Sequence, residues 1–383
     1  MNLFGKSLTK SNHPTRPRFV LYVAVLPSYR SECIEIIRKE FGDSIELIVS
    51  DAHLDPSVTT GISSEYYKRS AMIRIFGRRA FIQSMPSLSP LLAEAVVLDL
   101  NPRSVSAWLI LAVRRILRKR TLVWGHVHPQ AGIASKTKAL RMAMRKLASG
   151  TISYTYADRA KAEQDLPGAP VWVAPNALYR LAEMTPGEGA AHSDRDEVIY
   201  VGRFAPAKKV DLLVRGFAEA AHENPIIKLH LIGGGEQEPV LRRLVNSLGI
   251  ENRVTFGGWI EEAASLRAAY SRSFCSVSSG FAGLSLTQSL GFGVPMVVAD
   301  KENHSPEIEL SASGGVHWFS ADSAVSLADA ILARFKARGG VPDRDVSEFV
   351  RKGYSAEAMA AGIIGALRDR PTVGMRDDGI YYD

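Results

Sequence analysis

The chain has 383 residues, of which 46% are hydrophobic and 23% are charged, and a composition and length of this kind predict two domains with large cores. No apolar run is long enough to cross a membrane and the first residues lack the apolar core of a signal peptide, so we expect a cytoplasmic protein. The two cysteines, Cys33 and Cys275, are too few for a disulfide framework or a cysteine-based metal site.

Charge is distributed unevenly along the chain. Residues 1–180 contain 26 lysines and arginines against 13 acids, whereas the remainder contains 21 against 27. The segment 101–150 has eleven basic residues and no acid, in two stretches, RRILRKR and KTKALRMAMRK, that are typical of amphipathic helices. Such helices suit the anionic inner face of a membrane, and a solvated basic surface is the alternative. Nucleic acid is disfavoured because few aromatic residues lie among the cations.

Strand-like and helical patterns alternate along the whole chain. The apolar runs are RFVLYVAVL, IELIVS, AVVLDL, TLVWG, TISYTY and VWVAP, then VIYVG, KLHLIG, RVTFGG, FCSVSS, VPMVVAD and GVHWF. Helical patterns such as SECIEIIRKEF, SVSAWLILAVRRILR, VDLLVRGFAEAAH and EPVLRRLVNSLG separate them. This alternation predicts an α/β protein with two Rossmann-like, doubly wound parallel sheets.

The polar stretch at residues 183–196 is the predicted linker between a first domain, residues 1–182, and a second domain, residues 197–370. The last helix of the second domain is a candidate to pack back on the first, and residues 371–383 are predicted to be a mobile tail. In such sheets ligands bind beyond the carboxyl ends of the strands, so we expect the site in the cleft between the domains.

The loop after YVG offers a site for a diphosphate. Arg203 follows the strand, and Lys208 or Lys209 precedes a helix that starts near Val210. Cations beside the positive end of a helix attract phosphate groups, although a solvated basic loop would look the same in sequence. A glycine-rich stretch, GFAGLSLTQSL, follows FCSVS and predicts a second phosphate contact at the helix starting near Leu284, or a turn with a packing purpose.

Read together, these segments resemble the family 4 glycosyltransferases of the GT-B fold. In the second domain the resemblance is carried by YVGRFAPAKKVDLLVRGF, by LIGGGEQEPVLRRLVNSLGIENRVTFGGWI and by SSGFAGLSLTQSLGFGVPMVVADKENHSPEIEL. In the first domain it is carried by WGH and APNALY. The resemblance implies a retaining transferase without an active-site metal or a cofactor. A nucleotide diphosphate sugar would bind the second domain, and a saccharide or lipid-linked acceptor would bind the first.

The resemblance also implies roles for particular residues. Arg203 and Lys208 would stabilise the departing diphosphate and His126 would act on the sugar, so these three form the predicted catalytic set. The other predicted donor contacts are Gly234, Gly283, Leu284, Ser285, Gln288, His304 and Glu307, and the predicted acceptor-side residues are Tyr29, Arg30, His128 and Asn176. A purely structural role remains the alternative for each histidine and for Glu307. The two DRD triplets, at 194–196 and 343–345, are not predicted to bind metal.

The chain departs from the family pattern at two positions. Family members place two glutamates eight residues apart in the signature, and those positions here hold Gly280 and Gln288. A glutamine can still accept a hydrogen bond from a ribose hydroxyl, but a glycine offers only its backbone. This departure leaves a catalytically weak scaffold that binds a nucleotide or saccharide as the rival prediction. A dinucleotide oxidoreductase is excluded because the first strand is not followed by GxGxxG.

Overall fold

The computed structural model describes residues 17–54, 58–77, 79–128, 137–187 and 195–371. These residues form two parallel sheets, one of seven strands and one of six, with a separate two-stranded sheet. The predicted α/β class with two doubly wound parallel-sheet domains is therefore confirmed.

The seven-stranded sheet has the strand order β3-β2-β1-β6-β7-β8-β9, and every adjacent pair is parallel. Its strands are β1 (Phe19–Val23), β2 (Ile45–Val49), β3 (Lys68–Arg69), β6 (Ala95–Asp99), β7 (Arg120–Gly125), β8 (Gly150–Ser153) and β9 (Val171–Val173). The helices along this part of the chain are α1 (Ser31–Phe41), α2 (Ser89–Leu92), α3 (Val105–Ile116), α4 (Lys138–Leu147) and α5 (Ala157–Asp165).

Two short strands that the sequence analysis missed form an antiparallel hairpin. They are β4 (Met72–Ile75) and β5 (Ala80–Gln83), with Ile73 directly opposite Ile82. The hairpin is inserted between β3 and α2, and the backbone N–H of Phe81 donates to the carbonyl of Arg103 at 2.9 Å. The hairpin is thereby joined to the start of helix α3.

The six-stranded sheet has the order β12-β11-β10-β13-β14-β15. Its strands are β10 (Glu197–Val201), β11 (Lys228–Ile232), β12 (Val254–Gly258), β13 (Ser273–Ser278), β14 (Met296–Ala299) and β15 (Val316–Phe319). The helices that follow them are α6 (Val210–Glu223), α7 (Glu238–Ser247), α8 (Ala263–Ser271), α9 (Ser285–Gly291), α10 (Ala324–Lys336), α11 (Arg344–Tyr354) and α12 (Ala356–Arg368).

Both faces of the first sheet are covered, which explains why its strands are apolar throughout. In β1, Leu21 and Val23 pack into one buried cluster and Val20 and Tyr22 into another, because successive side chains point to opposite faces. Helix α12, at the end of the described chain, contributes to the first of these clusters beside Ile34 of α1. The chain therefore crosses back to the first sheet after completing the second.

The two ends of the predicted linker are packed, while residues 188–194 lie outside the described residues. Met184 is fully buried against the second domain, and buried Arg195 donates to the carbonyl of Ser273 at 3.2 Å. The predicted tail also lies outside the described residues, apart from residue 371. Among the helices that the structure describes, none is both long and apolar enough to cross a membrane.

The expectation that the basic segment forms an exposed basic surface is wrong for two of its arginines. Arg114 is fully buried, and its guanidinium donates to the carbonyls of Leu91 and Ala93 at 3.1 and 3.0 Å and to the hydroxyl of Thr121 at 2.8 Å. Arg145 is buried as well and donates to backbone and carboxylate oxygens of α5. These two arginines satisfy oxygens inside the first domain, so they are not part of a basic surface.

Candidate functional site

The loop after β10 holds the two predicted diphosphate cations. Arg203 is exposed at its start, and Lys208 is partly buried at its end. The ammonium of Lys208 donates to the carbonyl of Phe281 at 2.7 Å and lies 4.6 Å from the centre of that ring. Burial, assisted by the charge of Arg203, lowers the pKa of Lys208 to about 8. The two cations therefore act on each other, and an anion placed with them would relieve that repulsion.

Lys209 is distinguished from Lys208 by its partners. Its ammonium forms ion pairs with Glu302 and, at 2.6 Å, with Asp322. Lys209 also has a left-handed backbone, with φ of 47°, and it precedes the first residue of α6. Its charge is already matched by two acids, so Lys208 is the better candidate for the diphosphate.

The loops after β10 and β11 touch each other closely. The backbone N–H of Phe204 donates to the carbonyl of Gly234 at 2.8 Å. A Cβ on Gly233 would lie 1.9 Å from the carbonyl oxygen of Gly202, so no side chain fits there. Gly234 faces the indole nitrogen of Trp259, 2.9 Å from where its Cβ would be. The GGG motif thus has a packing role in joining these two loops.

Gly280 packs directly on the loop that carries Lys208. Its Cβ would lie 2.4 Å from the carbonyl oxygen of Ala207, and the next N–H, that of Phe281, donates to this oxygen at 2.9 Å. The hydroxyl of Ser279 donates to the carbonyl of Lys209 at 2.7 Å. The first missing glutamate is therefore replaced by a backbone contact that leaves no room for a side chain.

The second missing glutamate is replaced by a buried amide. The oxygen of Gln288 accepts from the hydroxyl of Tyr270 at 3.2 Å, and its nitrogen donates to the hydroxyl of Tyr179 at 2.6 Å. Gln288 is only 6% exposed. Each amide atom has the capacity for one further hydrogen bond, but little of the side chain is exposed to a ribose. Gly283, Leu284 and Ser285, also predicted donor contacts, lie just before and at the first residue of the short helix α9.

His304 and Glu307 lie on the loop and turn after β14. The Nδ1 atom of His304 accepts the backbone N–H of Ala282 at 3.1 Å, and its Nε2 atom donates to the carbonyl of Ala299 at 2.8 Å. The ring of His304 therefore links the glycine-rich loop, through Ala282, to the end of strand β14, through Ala299. Glu307 is buried and accepts from the side-chain amide of Asn176 at 3.1 Å.

A chain of hydrogen bonds links Glu307 to the first domain. The oxygen of Asn176 accepts from the guanidinium of Arg30 at 3.0 Å, and the same guanidinium nitrogen donates to the hydroxyl of Tyr154 at 3.0 Å. Arg30 also lies over the ring of Trp124, 4.4 Å from its centre. Two predicted acceptor-side residues, Arg30 and Asn176, thus meet a predicted donor contact.

A pocket of about 310 Å³ lies at the carboxyl ends of β1, β6 and β7. The predicted residues Tyr29, Arg30, His126 and Asn176 all line it. His126 contacts Tyr154 edge to face, with ring centres 4.9 Å apart. Burial, together with the charge of Arg141, lowers the pKa of His126 to about 4, so its imidazole is neutral near pH 7.

Asp99, which the sequence analysis overlooked, lines the same pocket. It ends β6, beside the strand that carries His126, and its carboxylate accepts the backbone N–H of Ala24 at 2.5 Å. Burial raises the pKa of Asp99 to about 6, although this hydrogen bond and the charge of Arg30 oppose the shift. An acid at the end of a buried run, as in AVVLDL, was the signal in the sequence.

His128, a predicted acceptor-side residue, is not among the residues that line this pocket. Its two ring nitrogens are 3.0 Å from a carboxylate oxygen of Asp158 and 3.1 Å from one of Asp165. Arg145 donates to the same carboxylate of Asp165 at 3.1 Å. These contacts attach the loop after β7 to helix α5.

The triplets considered for metal binding have other contacts. Asp343 caps helix α11 by accepting the N–H of Val346 at 3.0 Å, and Asp196 forms an ion pair with Lys228 at 2.7 Å. Asp194 lies outside the described residues. Within the described ranges, no group of three or more histidine, cysteine or acidic side chains could hold a metal ion.

Comparison with known proteins relates the second domain to a family by sequence. Residues 195–336 match the family model described as glycosyl transferases group 1. The lipopolysaccharide core biosynthesis glycosyltransferase LpsE of Rhizobium meliloti (strain 1021) is 27% identical over 192 residues, which cover 47% of this chain and 52% of that protein. The D-inositol 3-phosphate glycosyltransferase of Mycobacteroides abscessus is 33% identical over 145 residues, 32% of each chain. The matched segments span between 24% and 52% of the curated relatives.

Solved structures with the same fold cover nearly the whole chain. HepE of Anabaena, in complex with UDP, superposes with a TM-score of 0.64 at 14% identity and covers 92% of this chain and 100% of its own. Sucrose-phosphate synthase of Thermosynechococcus elongatus gives 0.58 at 16% identity, covering 92% and 98%. The architecture is therefore the GT-B fold.

Proposed function

We propose that this chain, which has the GT-B glycosyltransferase fold, moves a sugar from a nucleotide diphosphate sugar to a saccharide or lipid-linked acceptor. The transfer retains the anomeric configuration and uses neither a metal nor a further cofactor. The observation that carries the proposal is the contact of the Arg203 and Lys208 loop with the glycine-rich loop, inside the segment that matches glycosyl transferases group 1.

On the donor side, Arg203 and Lys208 hold the diphosphate. As the bond from the anomeric carbon to the diphosphate oxygen breaks, negative charge grows on the leaving group and these cations stabilise it. Burial and, to a smaller extent, the charge of Arg203 lower the pKa of Lys208 in the free protein, and the negative charge of the leaving group favours the protonated lysine. Two fixed cations thus do what a metal ion does in other transferases.

On the acceptor side, the first-domain pocket receives the hydroxyl that attacks the sugar. Neutral His126 offers a hydrogen bond to the sugar, and Asp99 orients the hydroxyl. In a retaining transfer the acceptor enters on the face that the diphosphate leaves, so the proton of the hydroxyl passes to a departing phosphate oxygen. The link from Arg30 through Asn176 to Glu307 aligns the two halves of the site.

The cellular role is proposed from one relative and from charge. LpsE acts in lipopolysaccharide core biosynthesis by its name, and the first domain of this chain is strongly basic. We therefore place the protein in the assembly of a cell-surface polysaccharide or glycolipid, on the cytoplasmic face of the membrane.

Ligand-observed NMR with UDP-, GDP- and dTDP-sugars tests this function. Binding and slow hydrolysis of one donor, both lost in Lys208→Ala, is the expected result. Failure of every donor to bind would overturn the proposal.

One observation favours a second candidate, a scaffold that binds a nucleotide or saccharide without turnover. Gly280 has no side chain for the donor sugar, and Gln288 is occupied by two tyrosines. In the same experiment this candidate predicts binding of a nucleotide without hydrolysis, and without transfer to any acceptor supplied.

A further inference from the structure

The β4–β5 hairpin has an apolar outer face. Ile73 and Ile82 lie directly opposite each other and are 61% and 40% exposed, while Phe76, at the turn, is 80% exposed. Met72 and Phe81 alternate with them and pack inward against Ala24 and Leu54. An exposed cross-strand pair of isoleucines beside an exposed phenylalanine is unusual on a solvated surface, and such patches mark interaction sites.

The charge around this face favours an anionic partner. Residues 66–93 contain five lysines and arginines and no acid, and Arg79 is exposed at the turn beside Phe76. Arg103, also exposed, lies where the hairpin meets helix α3. Apolar side chains flanked by arginines match the interface of a bilayer that contains anionic lipid, where the rings enter the acyl region and the cations meet phosphates.

The inner side of the hairpin offers a place for such a phosphate. A pocket of about 700 Å³ lies between the hairpin and the ends of β2 and β3, with Arg69 and Arg74 in its wall. The hydroxyl of Ser50, also in this wall, is buried and has no hydrogen-bond partner among the described residues. Arg69 is paired with Asp51 at 3.0 Å, which leaves Arg74 as the cation that an added phosphate would meet first.

This second pocket adjoins the proposed acceptor site. The guanidinium of Arg74 donates to the carbonyl of His53 at 3.3 Å. His53 also lines the first-domain pocket, and its ring contacts that of Phe81 with ring centres 5.8 Å apart. A lipid phosphate at Arg74 would therefore hold the first sugar of a lipid-linked acceptor near His126.

We propose that the β4–β5 hairpin docks this protein on a bilayer, with Ile73, Phe76 and Ile82 in the lipid and Arg74 on the phosphate of a lipid headgroup. The inference rests on the proposed function only for the identity of the acceptor. It also places the membrane contact on the hairpin instead of on the basic stretches RRILRKR and KTKALRMAMRK, in which Arg114 and Arg145 are buried. A lipid phosphate and a free phosphate share the same chemistry at Arg74, and the experiment separates them.

Sedimentation with vesicles tests the outer face. Phosphatidylcholine vesicles with and without phosphatidylglycerol are used, without any sugar donor, so that the result does not depend on activity. We expect the parent protein to sediment with the anionic vesicles and the double variant Ile73→Ser/Ile82→Ser to lose most of that binding. If the double variant does not fold, the single variant Phe76→Ser takes its place. The matched control is Val325→Ser, since Val325 is 66% exposed on α10 of the other domain.

Three results would overturn the proposal. The first is that the parent does not sediment with anionic vesicles, and the second is that the double variant sediments like the parent. The third is that the parent self-associates in ultracentrifugation without vesicles and that the double variant, but not Val325→Ser, loses this self-association. The last result would assign the face to a second copy of the chain.

The inner face is tested with Arg74→Gln and with inorganic pyrophosphate as competitor. Two results together support a phosphate at Arg74. Arg74→Gln binds anionic vesicles more weakly than the parent, and pyrophosphate competes with vesicle binding in the parent but not in the variant. If pyrophosphate binds the parent more tightly than it binds Arg74→Gln, while vesicle binding is the same in both proteins, the pocket takes a free phosphate and the lipid assignment is wrong. Sugar transfer to a soluble acceptor is measured separately. If that transfer occurs while vesicle binding fails, the docking proposal is wrong and the proposed function is not.

Discussion

Glu309 of the second domain accepts the backbone N–H of Ala157 at 2.8 Å, at the first residue of helix α5 in the first domain. The N–H of Tyr156 and the hydroxyl of Tyr354 donate to the same carboxylate at 3.2 and 2.8 Å. Burial nevertheless raises the pKa of Glu309 to about 7, because three donors only partly replace the lost water. This carboxylate ties the two domains together, and its charge depends on pH near neutrality.

Replacing Glu309 should therefore change stability in a pH-dependent way. Because its folded pKa lies above the unfolded value, the folded state holds the extra proton between about pH 4.5 and 7, and stability is lost as pH rises through that window. We expect the thermal midpoint of the parent, relative to that of Glu309→Gln, to decrease as the pH rises from about 5 to 8, by the equivalent of roughly 2–3 kcal/mol. A difference that stays constant with pH would show that Glu309 does not titrate in this range.

Lys208→Ala should weaken binding of the nucleoside diphosphate by about tenfold or more, since one charge-assisted hydrogen bond is lost. Lys209→Ala is the matched control. The ammonium of Lys209 is already paired with Glu302 and Asp322, so we expect this substitution to leave the affinity for the nucleoside diphosphate nearly unchanged. Because the pKa of Lys208 is about 8, affinity in the parent should decline above that pH, and Lys208→Ala should lose this dependence. Calorimetry at two pH values on each side of 8 measures both effects. Equal affinities in the two lysine variants would remove Lys208 from the donor site.

The two lysines, Lys208 and Lys209, show what the sequence could predict and what it could not. The alternation of buried strands and amphipathic helices predicted both sheets, because a strand covered on two faces is apolar throughout. It also brought Arg203 and Lys208 to a strand end. It could not separate Lys208 from Lys209, because the acids that neutralise Lys209 lie about a hundred residues further along the chain.

The residues that sequence missed depend on partners distant in the chain. Arg114 looked like a surface charge until the carbonyls of Leu91 and Ala93 were found around it. Gln288 stays a predicted ribose contact, but its hydrogen bond to Tyr179, 109 residues earlier in the chain, could not be foreseen. The β4–β5 strands are too short, at four residues each, for their alternation to stand out from noise.

Arg114→Gln should destabilise the protein by about 3 kcal/mol or more, since several buried carbonyls lose their donor. The neighbouring Arg115 is exposed, and Arg115→Gln should change stability by no more than about 0.5 kcal/mol. Thermal unfolding of the two variants measures the contrast. Similar midpoints would mean that the Arg114 guanidinium does not satisfy those carbonyls in solution.

His126→Ala should lower turnover by about a hundredfold or more while leaving nucleotide affinity near that of the parent. With a pKa of about 4, His126 stays neutral over the working range, so the rate between about pH 5 and 8 should follow Asp99 instead. We expect the rate to rise through about pH 6 in the parent and to lose that step in Asp99→Asn. A step near pH 6 that persists in Asp99→Asn would assign it to another group, and full activity of His126→Ala would remove its role at the sugar.

Restoring the first family glutamate should harm this protein rather than improve it. The Cβ of any residue at position 280 would lie 2.4 Å from the carbonyl oxygen of Ala207, which is backbone and belongs to the loop carrying Lys208. Gly280→Ala alone should therefore displace that loop, destabilise the protein by about 1–3 kcal/mol and weaken diphosphate binding, and Gly280→Glu should do no better.

The comparison that isolates this effect is Gly339→Ala, because a Cβ on Gly339 meets nothing within 4 Å and Gly339 is not among the predicted donor contacts. Calorimetry with a nucleoside diphosphate and thermal unfolding are measured for both alanine variants. If Gly280→Ala bound the nucleoside diphosphate and unfolded like Gly339→Ala, the loop would have room for a side chain. The missing acid would then reflect the donor that the protein selects, not the packing of its two phosphate loops.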